Sequence, residues 1–378
     1  MICSARAAFR LRGADGTDHT WSERGDHRLY PAAFVPNVVV SSLGGADGHD
    51  SGRGCFFVRS PVDYIEFHRG ITHSLAGGWV LALGCALVLV MFAHVRLKPH
   101  RLGEPPSPRP WSLMGGWSMA YLLILHHIFL DCMNSYGTQV FLPFSDYRVR
   151  WNALFIVDPL LLFPLAIGLL WGRARRGVMA GLLLWTILYP LGALGGRLAL
   201  QDRLAADLEV PAATTTSADA LHPEPALYLV PDAFTPFHWK VILSPDEEAW
   251  KVAGYTPGRG RPTQWTRFAK PAPDLWLHLG EQDGIFQIYE RFAAFPAVDS
   301  VIALNGAGEQ GETEYTFSDL RFGSTIPFVD AIQTRRSGKE AVFRIQARIA
   351  GNDRLEAVRF VTMPGAGGDT GWQPPTPD

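Results

Sequence analysis

SLAGGWVLALGCALVLVMFAHV, residues 74–95, decides the fold: Ser74 and His94 are its only polar members. A bilayer core about 30 Å thick is crossed by about 20 apolar residues in helical form, so this run reads as a spanning helix. Three more blocks follow. Trp111 to Met133 carries His126, His127 and Asp131 near its C-terminal end, and Asn152 to Gly172 holds one charge, Asp158. Val178 to Leu194 is shorter and contains Pro190. Buried helices of a soluble α protein would also be apolar, but four such runs between residues 74 and 197 favour a membrane-embedded bundle. The expected spans are 74–95, 111–133, 152–171 and 178–197.

The composition agrees. The chain has 378 residues, 47% hydrophobic and 19% charged, below the roughly 25% charged of a soluble globular protein. Thirty-four basic residues against 36 acidic ones leave a net charge of −2, and nothing points to nucleic acid. Cys3, Cys55, Cys85 and Cys132 are scattered and form no CxxC, which argues against a cysteine zinc ribbon or a disulfide scaffold. Residues 1–60 hold no apolar run of signal-peptide type, so targeting is expected to rest on the first span.

Charge between the blocks sets the orientation. RLKPHRLGEPPSPRP (96–110) has Arg96, Lys98, Arg101 and Arg109 against Glu104 alone, and GRARRG (172–177) has three arginines and no acid. The positive-inside rule puts both short loops in the cytoplasm. Loop 134–151 and the C-terminal part then face outward, giving a multi-pass inner-membrane protein with a periplasmic or extracellular C-terminal domain.

Beyond residue 200 the character changes. QDRLAADLEVPAATTTSADALHPEP (201–225) reads as a linker. Short runs of β type follow: ALYLV (226–230), WKVIL (239–243), IFQIYERF (285–292), TEYTFSDLRF (313–322), VFRIQARI (342–349) and LEAVRFV (355–361). Turn-forming Gly and Pro separate them. The fold class expected is therefore an α-helical integral membrane bundle of about four spanning helices, followed by a β-rich extramembrane domain. Its boundaries are 61–200 for the bundle, 226–364 for the β-rich domain and 365–378 for a disordered tail.

Ionisable residues gather at one face. His68 and His73 immediately precede the first span, His127 and Asp131 lie near the exit of the second, and Asp158 lies near the entrance of the third. The count of segments alone brings these together, whichever way the bundle is oriented. His127 and Asp131, at i and i+4, project from one helix face. Imidazole nitrogen and carboxylate oxygen both suit a borderline divalent metal, and ionisable groups within spans mark functional sites. An HxxxD pair also serves as a structural hydrogen-bonded pair, and helix-end histidines also sit in the interface. In loop 134–151, Gly137 permits a tight turn. Arg148 and Arg150 would meet an anionic substrate oxygen or, alternatively, lipid headgroups and Asp146.

Together HRGITHS (68–74), HHIFLD (126–131), NSYGTQVFLPFSDYR (134–148) and FIVDP (155–159) resemble the YdjM-like bacterial membrane-bound metal-dependent hydrolases over about residues 61–200. PDAFTPFHW (231–239) is similar to the extra domain of longer members. The resemblance implies a helical bundle with a metal site, the family itself being named for distant similarity to zinc-dependent phospholipase C-type hydrolases. Carried over by position, His73 matches the histidine of RGxTH, His127 and Asp131 match HxxxD, and Asp158 matches the aspartate of (I/V)DP. Members usually open with a Met-Asp-x-x-Thr-His helix and an apolar stretch ending in Asn-x-Pro-Asp-x-Asp. Residues 1–60 have neither and read as an atypical, disordered or mistranslated segment, with Asp63 a weak substitute for a missing ligand.

These readings converge on one expectation. A divalent metal, zinc foremost, is held by His73, His127, Asp131 and Asp158. His68, His126 and Arg148 act as catalytic or supporting groups, on an ester or phosphoester of a small molecule or lipid at the outer face of the bilayer. The alternative is a non-catalytic anchor displaying a β-rich binding domain. A transporter is disfavoured, because the charges cluster at one face rather than at the midplane.

Overall fold

A computed structural model describes residues 61–96, 112–172, 175–212, 226–233, 235–305, 311–337, 342–351, 353–362 and 368–376. The N-terminal segment 1–60 and most of the first basic loop lie outside these residues.

Helix α1 (Pro61–Phe67) and a single 3-10 turn (Ile71–His73) lead into α2 (Leu75–Arg96). Then come α3 (Leu113–Cys132), α4 (Pro159–Gly172) and α5 (Arg176–Leu208). Helices α2, α3 and α5 are long and apolar enough to cross a membrane. Their apolar side chains point outward, Leu89, Met91, Leu122, Leu123, Leu183 and Leu188 among them. A helix apolar on its outer surface needs lipid rather than water around it. Small residues bring α2 and α3 together: Gly116 lies against Ala86, and a Cβ on Gly78 would sit 2.8 Å from Ile124.

The third block is helical over a shorter stretch than the expected span of 152–171. Only 14 residues of it are helical, Pro159 to Gly172, with Pro164 inside. At 1.5 Å per residue this is about 21 Å of helix. The fourth helix is longer than expected, 33 residues. Its end runs into the expected linker, and its last turns dock on the sheet: Leu204 and Ala205 share a core with Leu227, Leu229, Trp239 and Val241.

The C-terminal part is one eight-stranded antiparallel sheet in sequential order. Its strands are β1 (Ala226–Pro231), β2 (Trp239–Ser244), β3 (Ala249–Tyr255), β4 (Thr266–Ala269), β5 (Pro296–Asn305), β6 (Glu312–Asp319), β7 (Phe343–Ala350) and β8 (Leu355–Thr362). Helices α6 (Pro273–Gln282) and α7 (Gly284–Phe292) join β4 to β5, and α8 (Pro327–Ser337) joins β6 to β7. IFQIYERF, expected as a strand, is α7: Phe286, Tyr289 and Phe292 recur at helical spacing and bury one face, and Asp283 caps its start by accepting from Phe286 N at 2.9 Å. The tail is another correction. Of the segment 365–378, residues 368–376 are described and are strapped to the sheet: Gln373 and Val358 exchange backbone hydrogen bonds of 2.9 Å, and Arg348 lies over the Trp372 ring.

The two halves share a core. Val62 and Ile65 of α1 and Tyr136 of the α3–α4 loop pack with Trp276, Phe292 and Phe343 of the sheet domain.

Candidate metal centre

Helix α3 supplies two of the three donors of the site. His127 and Asp131 are one turn apart at its C-terminal end, and their Nε2 and Oδ2 atoms approach to 3.6 Å. The rest comes from the 3-10 turn ahead of α2. That turn is pressed so tightly on the helix start that a Cβ on Gly77 would lie 1.8 Å from Ile71 O. The fold puts His73 Nε2 3.2 Å from His127 Nε2 and 3.6 Å from Asp131 Oδ2. The three donor atoms lie within 4.8 Å of one another.

These atoms fit a divalent ion. Two imidazole nitrogens bound tetrahedrally at about 2.05 Å stand roughly 3.3 Å apart, close to the separation found. Among the described residues, Asp131 Oδ2 is buried and has no hydrogen-bond partner, whereas a buried carboxylate oxygen normally has one. The other oxygen, Oδ1, faces the Arg69 guanidinium at 3.4 Å, so the carboxylate is turned with its open oxygen toward the histidines. Thr72 Oγ1 lies 2.9 Å from His73 Nδ1. With Nδ1 engaged there, Nε2 is left as the donor. Burial holds the His73 imidazole down to about pKa 4, outweighing the neighbouring Asp131, so it is neutral at pH 7, as a ligand must be. The His127 side chain is 61% exposed against 12% for Asp131, so the cluster opens to solvent on the His127 side.

Arg69 organises the floor. It adopts φ +62°, a left-handed conformation uncommon for a side-chain-bearing residue. From there it donates to Asn134 Oδ1 at 2.6 Å and Asp131 O at 3.4 Å, and its guanidinium lies over Tyr136. Sequence reading missed Arg69, Asn134 and Tyr136. The available signal was their position inside two of the quoted motifs.

His68 stacks on Tyr64 at 4.4 Å between ring centroids, meets Tyr136 edge-on and lies 6.3 Å from His73. Burial, with the Arg69 and Arg148 charges, lowers its pKa to about 4. It is a neutral imidazole beside the cluster. His126 projects elsewhere, its ring stacked near Phe129 at 6.2 Å.

Two expected site residues have other work. Asp158 is not in the cluster. Its Oδ1 accepts from Leu161 N at 2.9 Å, capping α4, and the Tyr189 hydroxyl donates to the carboxylate at 3.0–3.1 Å, tying α4 to α5. The reason is that α4 begins only at Pro159, so Asp158 stands at its N-cap rather than inside a span. Arg148 is buried and donates to Ile65 O at 2.8 Å, and it faces α1 rather than solvent. Arg150 likewise donates to Phe292 O at 3.0 Å. Gly137 does take a positive φ, +97°, and a Cβ there would meet Arg150 Nε at 2.6 Å, so this turn requires glycine.

The membrane half, with its cluster at one end, invites comparison with known proteins. Residues 28–199 match the YdjM inner membrane protein family. That segment is YdjM-like. The match reaches back to residue 28, well ahead of the start at 61 that the motifs indicate, and so takes in part of the atypical N-terminal stretch. The chain is also 24% identical over 301 residues to the uncharacterized protein YfhP of Bacillus subtilis (strain 168), covering 79% of this chain and 81% of that one. No solved structure matches. The YdjM-like part holds every residue of the cluster, and the sheet domain follows it.

Proposed function

We propose that the protein is a membrane-bound metal-dependent hydrolase acting on an ester or phosphoester at the membrane–water interface. The observation that carries this reading is the buried, unpartnered Asp131 Oδ2, facing two imidazole Nε2 atoms 3.2 Å from each other.

His73, His127 and Asp131 would hold the ion, with zinc the metal that this N2O donor set suits. A bound divalent ion supplies a Lewis acid and lowers the pKa of its water toward about 7. Burial keeps His73 neutral, Thr72 at Nδ1 leaves its Nε2 for the ion, and Arg69 orients the carboxylate. His68, neutral and next to the cluster, is placed to accept a proton from an attacking water. Three protein ligands leave a position for water or substrate, the pattern of catalytic rather than structural zinc sites. The exposed side of His127 is the way in. The two basic loops favour the outer face for this chemistry.

Metal content of detergent-purified protein tests the reading. One zinc or other divalent ion per chain, lost on combining His127→Ala with Asp131→Ala, is expected, together with metal-dependent turnover of a chromogenic ester or phosphodiester. Metal-free protein after purification without chelators, or turnover unchanged in the double variant, would sink it.

A further inference from the structure

The sheet is split between β4 and β5. Seven strand junctions join its eight strands, and six of them run over four to eight paired positions, whereas β4 and β5 pair at one alone, Ala269 with Val298. From that point the strands diverge. β4 continues as Thr266–Phe268 against β3, and β5 continues from Ser300 to Asn305 against β6. A cavity of about 1210 Å³ adjoins the split, lined by Thr266 and Phe268 of β4 and Ser300 and Ile302 of β5 and floored by Thr316 of β6 and Gln346 of β7. Beyond Val252, β3 has no β4 partner either, and Gly254 and Tyr255 line the same cleft.

We infer that this split receives an extended segment of another polypeptide, which enters between β4 and β5 as an added strand. Main-chain N–H and C=O groups along two facing strand edges are matched by an extended backbone. Natural sheets guard an open edge with charge, proline or a covering element. Here the outer part of β5 reads Val301, Ile302, Ala303 and Leu304, all exposed, β-branched or apolar, and without a charge. Six residues, Ser300 to Asn305, offer an edge roughly 20 Å long. Such an edge is a template for pairing, and in a native protein its exposure marks a binding site rather than a packing surface.

The walls define the partner further. Arg259 and Arg261 are carried at the mouth by a loop in which Gly258 and Gly260 take φ of +85° and +83°. Lys240 and Asp319, deeper in the cleft, are already engaged, Lys240 by Leu320 O at 2.8 Å and Asp319 by Arg321. The segment that fits is apolar or β-branched where it meets Ile302 and Phe268, and it carries an acidic side chain at the end beneath the two arginines.

The test uses the full chain in detergent and synthetic ten-residue peptides with Val, Ile or Thr at alternate positions and an aspartate at one end. Saturable binding is expected, with slower amide exchange in residues 266–268 and 300–305. Peptides N-methylated at alternate backbone nitrogens should bind at least tenfold more weakly. Ile302→Lys should weaken binding at least tenfold while β6–β8 stay protected, and Arg259→Glu with Arg261→Glu should reverse the preference toward lysine-ended peptides. Equal binding of the N-methylated peptides, or protection confined elsewhere, overturns the inference, as does failure of every peptide to bind. A dimer that Ile302→Lys dissociates would show instead that a second copy closes the split.

Discussion

Arg150 and Arg321 donate to the same carbonyl oxygen, that of Phe292 at the end of α7, at 3.0 and 2.7 Å. One arginine comes from the loop between the membrane helices and the other from the sheet domain. Arg321 also reaches back to Ser135 O at 2.7 Å, so the loop that follows the His127–Asp131 helix and the sheet domain are bolted through one peptide unit.

Arg321 is the member whose loss should be felt most. Its guanidinium pairs with Asp319 at 2.7 Å, and both side chains are almost fully buried. Removing one partner of a buried pair strands the other charge and costs about 3–5 kcal/mol. Arg321→Met should therefore lower the melting temperature sharply, with Asp319→Leu added on top restoring part of the loss. Equal melting of wild type and Arg321→Met would show that the pair contributes nothing.

The metal register follows from adjacent histidines. His126 and His127 point about 100° apart on α3, and only His127 faces His73. His126→Ala should retain bound metal as measured by elemental analysis, and His127→Ala should lose it. Loss in both, or in His126→Ala alone, would place the site on the other side of the helix.

Asp158 separates the sequence expectation from the structure. As the cap of α4 and the acceptor of Tyr189, it is a structural group, and Asp158→Ala should cost about 0.5–2 kcal/mol from the lost cap. Metal content should not change. A variant that melts normally but binds no metal would restore Asp158 as a ligand.

Phe144 is 90% exposed at the tip of the α3–α4 loop, with Phe141 and Tyr147 beside it. The loop is tied to the start of α2 by Leu75 N donating to Val140 O at 2.9 Å. Exposed aromatics at a helix end belong in the headgroup layer. In proteoliposomes, an environment-sensitive dye on Phe144→Cys, with the four native cysteines replaced by serine, should be quenched by brominated lipid and shifted to the blue. Emission like that of the dye in water, with no quenching, would place the loop clear of the bilayer.

Much of this was legible in the sequence because the signals were local. Unbroken apolar runs gave α2, α3 and most of α5, and the i, i+4 spacing gave His127 with Asp131. Its place just before the first span brought in His73, and the resemblance matched it to a motif. The misreadings arose where local pattern and tertiary context diverge. IFQIYERF offers β-branched and aromatic residues, yet Phe286, Tyr289 and Phe292 fall on one helical face. Apolar residues 152–158 suggested a span, but Pro159 starts the helix and turns Asp158 into its cap. Arg148 and Arg150 looked like surface cations because nothing in a linear motif tells that carbonyls of α1 and α7 will surround them. Arg69 was invisible as an organiser, since its left-handed backbone has no signature in its own residue type.

Helix α5 is 33 residues long, about 50 Å at 1.5 Å per residue, and only about 30 Å of it is needed to cross the lipid. The remaining turns are welded to β1 and β2 through Leu204 and Ala205. The sheet is thus mounted on a strut of fixed height rather than tethered by a flexible cord. Whatever the sheet holds therefore sits at a height set by α5, and geometry rather than diffusion would govern how close it comes to the bilayer.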